Sequence, residues 1–223
     1  MSSFINKNRL LFLLILVFAA VFAVELAINP KGALVVYFNG MYSPAANTFF
    51  SLFTHVGSGG MFIAVALLLI IFIKIRWGII GLIGFAASGL ITQFLKQVVF
   101  GPSPRPHKYF EGQNLLDTFD GQTMAYIYSF PSGHSTSAFA LFALLSFIAW
   151  KKPAAVVLFF CAGVLTGLSR IYLAQHFTED VLAGGLIGFT SMSILYYLLE
   201  ERRPAWLFKP SLDKPLVKIW TRR

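Results

Sequence analysis

The sequence predicts an all-α, polytopic membrane fold, with six transmembrane helices and short interfacial helices on the outer side. Three observations predict it. The 223 residues are 57% hydrophobic and only 12% charged, with a mean hydropathy of +0.72, whereas a water-soluble domain carries about 25% charged residues. Six apolar stretches are each long enough to cross a hydrocarbon layer as a helix of about 20 residues. Lysine and arginine also segregate to alternate connections between those stretches.

The first stretch, about residues 10–28, follows a basic start. No A-x-A cleavage site comes after it, so an uncleaved span is expected rather than a signal peptide. The segment "NPKGALVVYFNGMYSPAANTFFSLFTH" is apolar but broken by Gly and Pro, which suits short helices lying along the interface. Spans then follow at about 57–75, 77–99, 131–150, 153–169 and 180–199, with the short basic turns "IKIRW" and "WKKP" between the second and third and between the fourth and fifth. Gly78, Gly81, Gly84, Gly89, Gly163, Gly167, Gly184 and Gly188 recur at helical spacing, as close helix packing requires. The single cysteine, Cys161, rules out an internal disulfide, and its apolar neighbours predict a small buried hydrophobe. The chain reads as one membrane-embedded domain over 1–223, with a catalytic core at about 90–199 and a basic tail at about 200–223.

Charge sets the orientation. An even number of crossings places both termini and the two basic turns on one side, which holds thirteen of the eighteen lysines and arginines, Arg222 and Arg223 among them. The positive-inside rule makes that side cytoplasmic. A net charge of +9 is therefore explained by basic cytoplasmic ends rather than by nucleic acid. The other side holds only Lys31, Lys96, Arg105, Lys108 and Arg170, most of them around spans three to six. Cations on that side need an anionic partner.

The unusual polar residues fall on the same outer side in three clusters. Lys96 is followed by Arg105-Pro106. Pro131-Ser132-Gly133-His134 heads the fourth span, where Pro131 suits the first helical turn and a helix amino terminus attracts anions. Ser169-Arg170, His176 and Asp180 lie between the fifth and sixth spans. If the last helix begins near His176, residues 176 and 180 share a face, and the carboxylate accepts from one imidazole N–H. That bond leaves the other nitrogen free to attack and stabilises the charge that develops. His134 is then placed to protonate a leaving oxygen. Lys96, Arg105, Arg170, Ser132 and Gly133 suit the oxygens of a transferring phosphoryl group. The scheme requires no metal or other cofactor, and the carboxylate cluster of a two-metal site is missing from the sequence. Taken singly, Arg170 also suits snorkelling to lipid phosphates, Ser132 a helix cap and Asp180 a helix-dipole residue. His55 and His107 fit no such pattern and read as interface or loop residues.

These residues resemble the motifs of the type 2 phosphatidic acid phosphatase family, integral-membrane lipid phosphatases related to the vanadium haloperoxidases. The family patterns are K-x6-R-P, P-S-G-H and S-R-x5-H-x3-D. The second stands here as Pro131 to His134, and the third as Ser169-Arg170, His176 and Asp180. The first departs from the pattern, because eight residues, "QVVFGPSP", separate Lys96 from Arg105. Lys108 is the reserve candidate for the missing contact. The resemblance implies a nucleophilic His176 that becomes a phosphohistidine, oriented by Asp180, with His134 as general acid. It further implies phosphate contacts from Lys96, Arg105, Ser132, Gly133 and Arg170.

The expected activity is phosphate removal from a lipid phosphate or pyrophosphate in the outer leaflet of a cell membrane, the site being periplasmic or extracellular. Undecaprenyl pyrophosphate, phosphatidylglycerol phosphate, phosphatidic acid and lipid A are the implied substrate types. The amino-terminal third and the loop at 107–130 are expected to set headgroup choice. A lipid phosphotransferase would use the same site. A phospholipid transporter or flippase would need access from both faces, and no span carries a charge near its middle.

Overall fold

A computed structural model describes residues 1–116 and 125–220. Residues 117–124 of the loop expected to set headgroup choice, and Arg222 and Arg223 of the basic tail, lie outside the described residues. The described chain is helical: α1 Ser2–Lys7, α2 Arg9–Ile28, α3 Ala33–Asn39, α4 Pro44–Phe53, α5 Gly59–Leu68, α6 Ile75–Phe94, α7 Pro106–Tyr109, α8 Gly133–Ile148, α9 Pro153–Tyr172, α10 Thr178–Tyr196 and α11 Leu216–Trp220. The broken segment after the first stretch does form short helices, α3 and α4, as its Gly and Pro residues predict.

Four of the predicted spans are helices long and apolar enough to cross a membrane: α2, α6 with its π-helical extension to Val99, α9, and α10 with its extension to Glu201. A fifth arises if Pro44–Gly57 and Gly59–Ile73, which meet at a 59° bend, count as one span. The stretch expected at 131–150 forms only the 16 residues of α8. At 1.5 Å per residue that is about 24 Å, short of a hydrocarbon layer about 30 Å thick. Pro131 does not enter α8, because Ser132 takes the N-cap and the helix starts at Gly133.

Side-chain burial shows what surrounds these helices. On α2, Leu11, Ile15, Phe18 and Phe22 are buried at helical spacing, while Leu13, Leu16, Val17, Val21 and Val24 are exposed on the remaining faces. Such a surface is a liability in water and costs nothing against acyl chains. Cys161 is exposed on α9 instead of buried. Apolar neighbours in sequence do not separate the protein core from the lipid-facing side.

α8 is the hub. It is buried along most of its length and packs against α5, α6, α9 and α10. Its seam with α10 is backbone against backbone. A Cβ added at Gly184 would lie 2.4 Å from the carbonyl oxygen of Ser132, and one at Gly188 would lie 2.1 Å from that of Thr136. Gly89, by contrast, has nothing within 4 Å of the same position, so its place in the glycine pattern is not a packing contact. Gly188→Ala is therefore expected to lower the unfolding temperature in detergent, at an overpacking cost of about 1–3 kcal/mol. Gly89→Ala should leave the unfolding temperature unchanged or slightly raised.

At the end of the bundle away from α8's N-cap, charges are paired. Arg76 bonds Glu200 at 2.8 Å and Asp213 at 2.9 Å, Lys74 bonds Asp213 at 2.8 Å, and Lys7 bonds Glu201 at 2.7 Å. Backbone bonds from Ile75 and Arg76 to Lys214 and Leu212 fold the basic tail back onto the start of α6.

Candidate active site

α6 and α9 end where α8 and α10 begin, so all three sequence clusters meet at one end of the bundle. After α9 the chain must reverse within a few residues. Ala174 takes a left-handed conformation, with φ at 49°. The N–H groups of Gln175 and His176 then close onto the Arg170 carbonyl at 2.9 and 3.2 Å. His176 is thereby folded back over the end of α9 and is 2% exposed.

α10 starts at Thr178 rather than near His176. The predicted shared face is nevertheless achieved by another route. Asp180 occupies the third helical position and reaches back, accepting the Phe177 N–H at 2.9 Å on Oδ2. That same oxygen lies 3.2 Å from His176 Nδ1. The other ring nitrogen, Nε2, lies 3.5 Å from Arg105 Nη1. A guanidinium only donates and a carboxylate only accepts, so the proton belongs on Nδ1 and the lone pair on Nε2. Burial holds the His176 pKa well below the ordinary imidazole value, and the charges of Arg105, Arg170 and Lys96 act in the same direction. The ring is a neutral imidazole in a positive field.

Each cation is fixed by a backbone or hydroxyl oxygen. Arg105 donates Nε–H to the Ile127 carbonyl at 3.1 Å, and from Nη1 to the carbonyl and side-chain oxygens of Gln175 at 3.2 and 3.3 Å. Burial lowers its pKa, with Asp180 pulling the other way, yet a guanidinium stays charged at neutral pH. Lys96 donates to the Tyr128 carbonyl at 2.9 Å. It reaches the cluster despite the long spacing because a π turn, Leu95–Val99, and Gly101, with φ at +65°, take up part of "QVVFGPSP". Arg170 is buried and donates from Nη1 to Thr54 Oγ1 at 2.8 Å, while its Nε has no hydrogen-bond partner among the described residues. Lys108 is exposed and paired with Glu111 at 2.5 Å, away from these groups.

Ser132 is fully buried, and its hydroxyl accepts from the N–H and hydroxyl of Ser135 at 3.3 and 3.0 Å. Its own N–H donates to the Asp180 carbonyl at 3.0 Å, tying α8 to α10 beside the histidine. Gly133 leaves open space where a Cβ would stand. Gly133 and His134 line a cavity of about 240 Å³ together with Gly57, Gly59, Gly89 and Gln93. His55, read from sequence as an interface or loop residue, is exposed. His107 lies on α7, its Nε2 buried with no partner among the described residues.

The sequence reading missed Thr54, Gln175 and Ser129. Thr54 orients Arg170 from the turn after α4, and Gln175 brackets Arg105. Ser129 donates to Asp180 Oδ2 at 2.5 Å. None repeats at a helical period, so only proximity to the motifs would have marked Gln175 and Ser129. Nothing in the sequence marks Thr54. Together the groups can present an activated imidazole nitrogen, a second histidine and three cations to one tetrahedral anion.

A model of the PAP2 superfamily matches residues 77–204. The chain is 32% identical over 134 residues to a Rhizobium etli protein named lipid A 1-phosphatase, covering 59% of this chain and 53% of that one. It thus spans about half the length of that relative. The crystal structure of Aquifex aeolicus LpxE superposes with a TM-score of 0.61 at 27% identity, over 73% of this chain and 92% of that one. A Bacillus subtilis structure, described as a transmembrane PAP2 type phosphatidylglycerolphosphate phosphatase, superposes at 0.60 and 25% identity, over 91% and 99%.

Proposed function

Because the chain belongs to the PAP2 superfamily, we propose that it is a multi-pass membrane phosphatase acting on a lipid phosphate or pyrophosphate through a phosphohistidine on His176. One observation carries the mechanism: Nε2 of a neutral, buried imidazole faces Arg105, while Nδ1 is held by Asp180. Nε2 attacks phosphorus, and the bond from phosphorus to the lipid oxygen breaks. His134 gives its proton to that oxygen. Water, deprotonated by the same His134, then attacks the phosphohistidine, breaking the P–N bond and releasing inorganic phosphate. Arg105, Arg170 and Lys96 hold the oxygens on which charge accumulates. The departing lipid lies on the His134 side, in the cavity that opens beside Gly57 and Gly89.

In this reading α2, the bent α4–α5 pair, α6, α8, α9 and α10 make six crossings. Both termini are cytoplasmic and the site lies at the outer face, where the five sparse cations fall. The names of the relatives support lipid A and phosphatidylglycerol phosphate as substrate types. Lipid A, phosphatidylglycerol phosphate, undecaprenyl pyrophosphate and phosphatidic acid, each presented in detergent micelles, form the deciding panel. Inorganic phosphate is expected from at least one of them. Release from none would overturn the reading, and radiolabel passing to a second lipid instead of to water would make the protein a phosphotransferase.

A further inference from the structure

Ser129 belongs to none of the three motifs, yet it touches the catalytic carboxylate. It is 1% exposed, and its hydroxyl donates to Asp180 Oδ2, the same oxygen that meets His176 Nδ1 and the Phe177 N–H. A hydroxyl pointed at a carboxylate is a donor there, so it is neither a nucleophile nor a proton acceptor. Its backbone is also anchored. The Ser129 N–H donates to the Ser103 carbonyl at 3.1 Å, and the Phe130 N–H donates to Ser103 Oγ at 3.0 Å. The three residues before it are the ones whose carbonyls receive Arg105 and Lys96. The Arg105 N–H donates to Tyr126 at 2.9 Å, its Nε–H to Ile127, and the Lys96 ammonium to Tyr128. One short non-helical stretch, turned at Tyr128 by a left-handed φ of 59°, therefore grips both cations with its carbonyls and Asp180 with a side chain.

We propose that Ser129 is a positioning residue for the phosphoryl-transfer step, acting through Asp180. Its hydroxyl pins Oδ2 against Nδ1, so that His176 keeps its proton there and presents Nε2 to the phosphate. A buried carboxylate that loses this donor is held on Oδ2 by the Phe177 N–H alone apart from the imidazole, and its grip on the Nδ1 proton that selects the tautomer weakens. The inference rests on His176 being the nucleophile.

The test uses Ser129→Ala and Ser129→Thr, each in the Asp180 parent and in Asp180→Asn, with the panel lipid that releases phosphate fastest. The His176 ring nitrogens are read separately by 15N NMR of histidine-labelled protein, with His176→Ala for assignment. Ser129→Ala is expected to lower kcat about 10- to 100-fold, the kinetic equivalent of one charge-assisted hydrogen bond, with KM nearly unchanged. Its His176 ring should shift from the Nδ1–H form to a mixture of tautomers. Ser129→Thr, which keeps the hydroxyl, should restore most of kcat. In Asp180→Asn the alanine should add no further loss, since there is no carboxylate to hold. An unchanged ring signal in Ser129→Ala, or an equal loss of kcat in both backgrounds, would overturn the proposal. If His176→Ala still released phosphate while Ser129→Ala altered the ring signal, the nucleophile assignment would fail and the positioning contact would stand.

Discussion

His176→Ala will trap no radiolabelled phosphate on the protein and will release phosphate from lipid at the background rate. Asp180→Asn will keep the nucleophile and lose the carboxylate that selects its tautomer, lowering kcat on the order of 10³- to 10⁴-fold. The two variants separate the atom that bonds to phosphorus from the group that aims it. An amide at position 180 can donate as well as accept, so it no longer enforces a proton on Nδ1. The sign of the pH effect follows from burial. Because the His176 pKa is lowered, the ring is protonated only well below its ordinary value near 6.5. Lowering pH from 7.5 to 6 should therefore not switch the nucleophile off. Covalent labelling in acid-quenched samples checks the first expectation, and the pH profile of kcat/KM checks the last. Full labelling of His176→Ala would move the nucleophile elsewhere.

Arg170→Met will abolish the response of the protein to inorganic phosphate. Arg170 is 8% exposed, spends one terminal nitrogen on Thr54, and has an Nε without a partner among the described residues. A buried guanidinium with a free edge suits a fork on two phosphate oxygens. Orthophosphate should raise the unfolding temperature of the parent, with a stabilisation of about 2.7 kcal/mol at a ligand concentration 100 times Kd. The methionine variant should show no such rise, and its kcat/KM should fall about 10²- to 10³-fold. Without phosphate it should unfold no earlier than the parent, because removing a buried charge from among like charges relieves both desolvation and repulsion. Arg170→Lys keeps the charge but not the fork, and should fall between the two. Thermal unfolding in detergent, with and without phosphate, reads all three, and a parent-like phosphate response in Arg170→Met would remove Arg170 from the anion site.

Much of this site was legible because its motifs are local. His176 and Asp180 are four residues apart, and Ser132 to His134 are consecutive, so short-range geometry binds each set before the fold is known. Lys96 and Arg105 were harder to read, since the extra length between them is taken up by a π turn and a left-handed glycine, neither of which has a sequence period. Ser129 and Thr54 were illegible for a related reason. Each acts across the fold, over 51 and 116 residues respectively, from a segment without periodicity. The spans show the opposite limit. Hydropathy located α8, but it does not separate residues that face lipid from residues wrapped by neighbouring helices, as most of the 16 in α8 are. The same ambiguity misplaced Cys161.

The glycine seam between α8 and α10 has a mechanical consequence. Peptide groups in direct contact leave no side chain that can rotate to take up a displacement. The Ser132 N–H bond to the Asp180 carbonyl sits at the top of that seam, so sliding the two helices apart would dismantle the catalytic carboxylate's support. The half of the molecule that holds the proposed nucleophile is therefore its stiff half. Gly57, beside the 59° break between α4 and α5, belongs to the same braced region, since a Cβ there would lie 2.8 Å from the His134 carbonyl oxygen. The cavity is open instead at Gly89, which has nothing within 4 Å of its Cβ position, so a bulky lipid admitted on the α6 side would leave the seam in register.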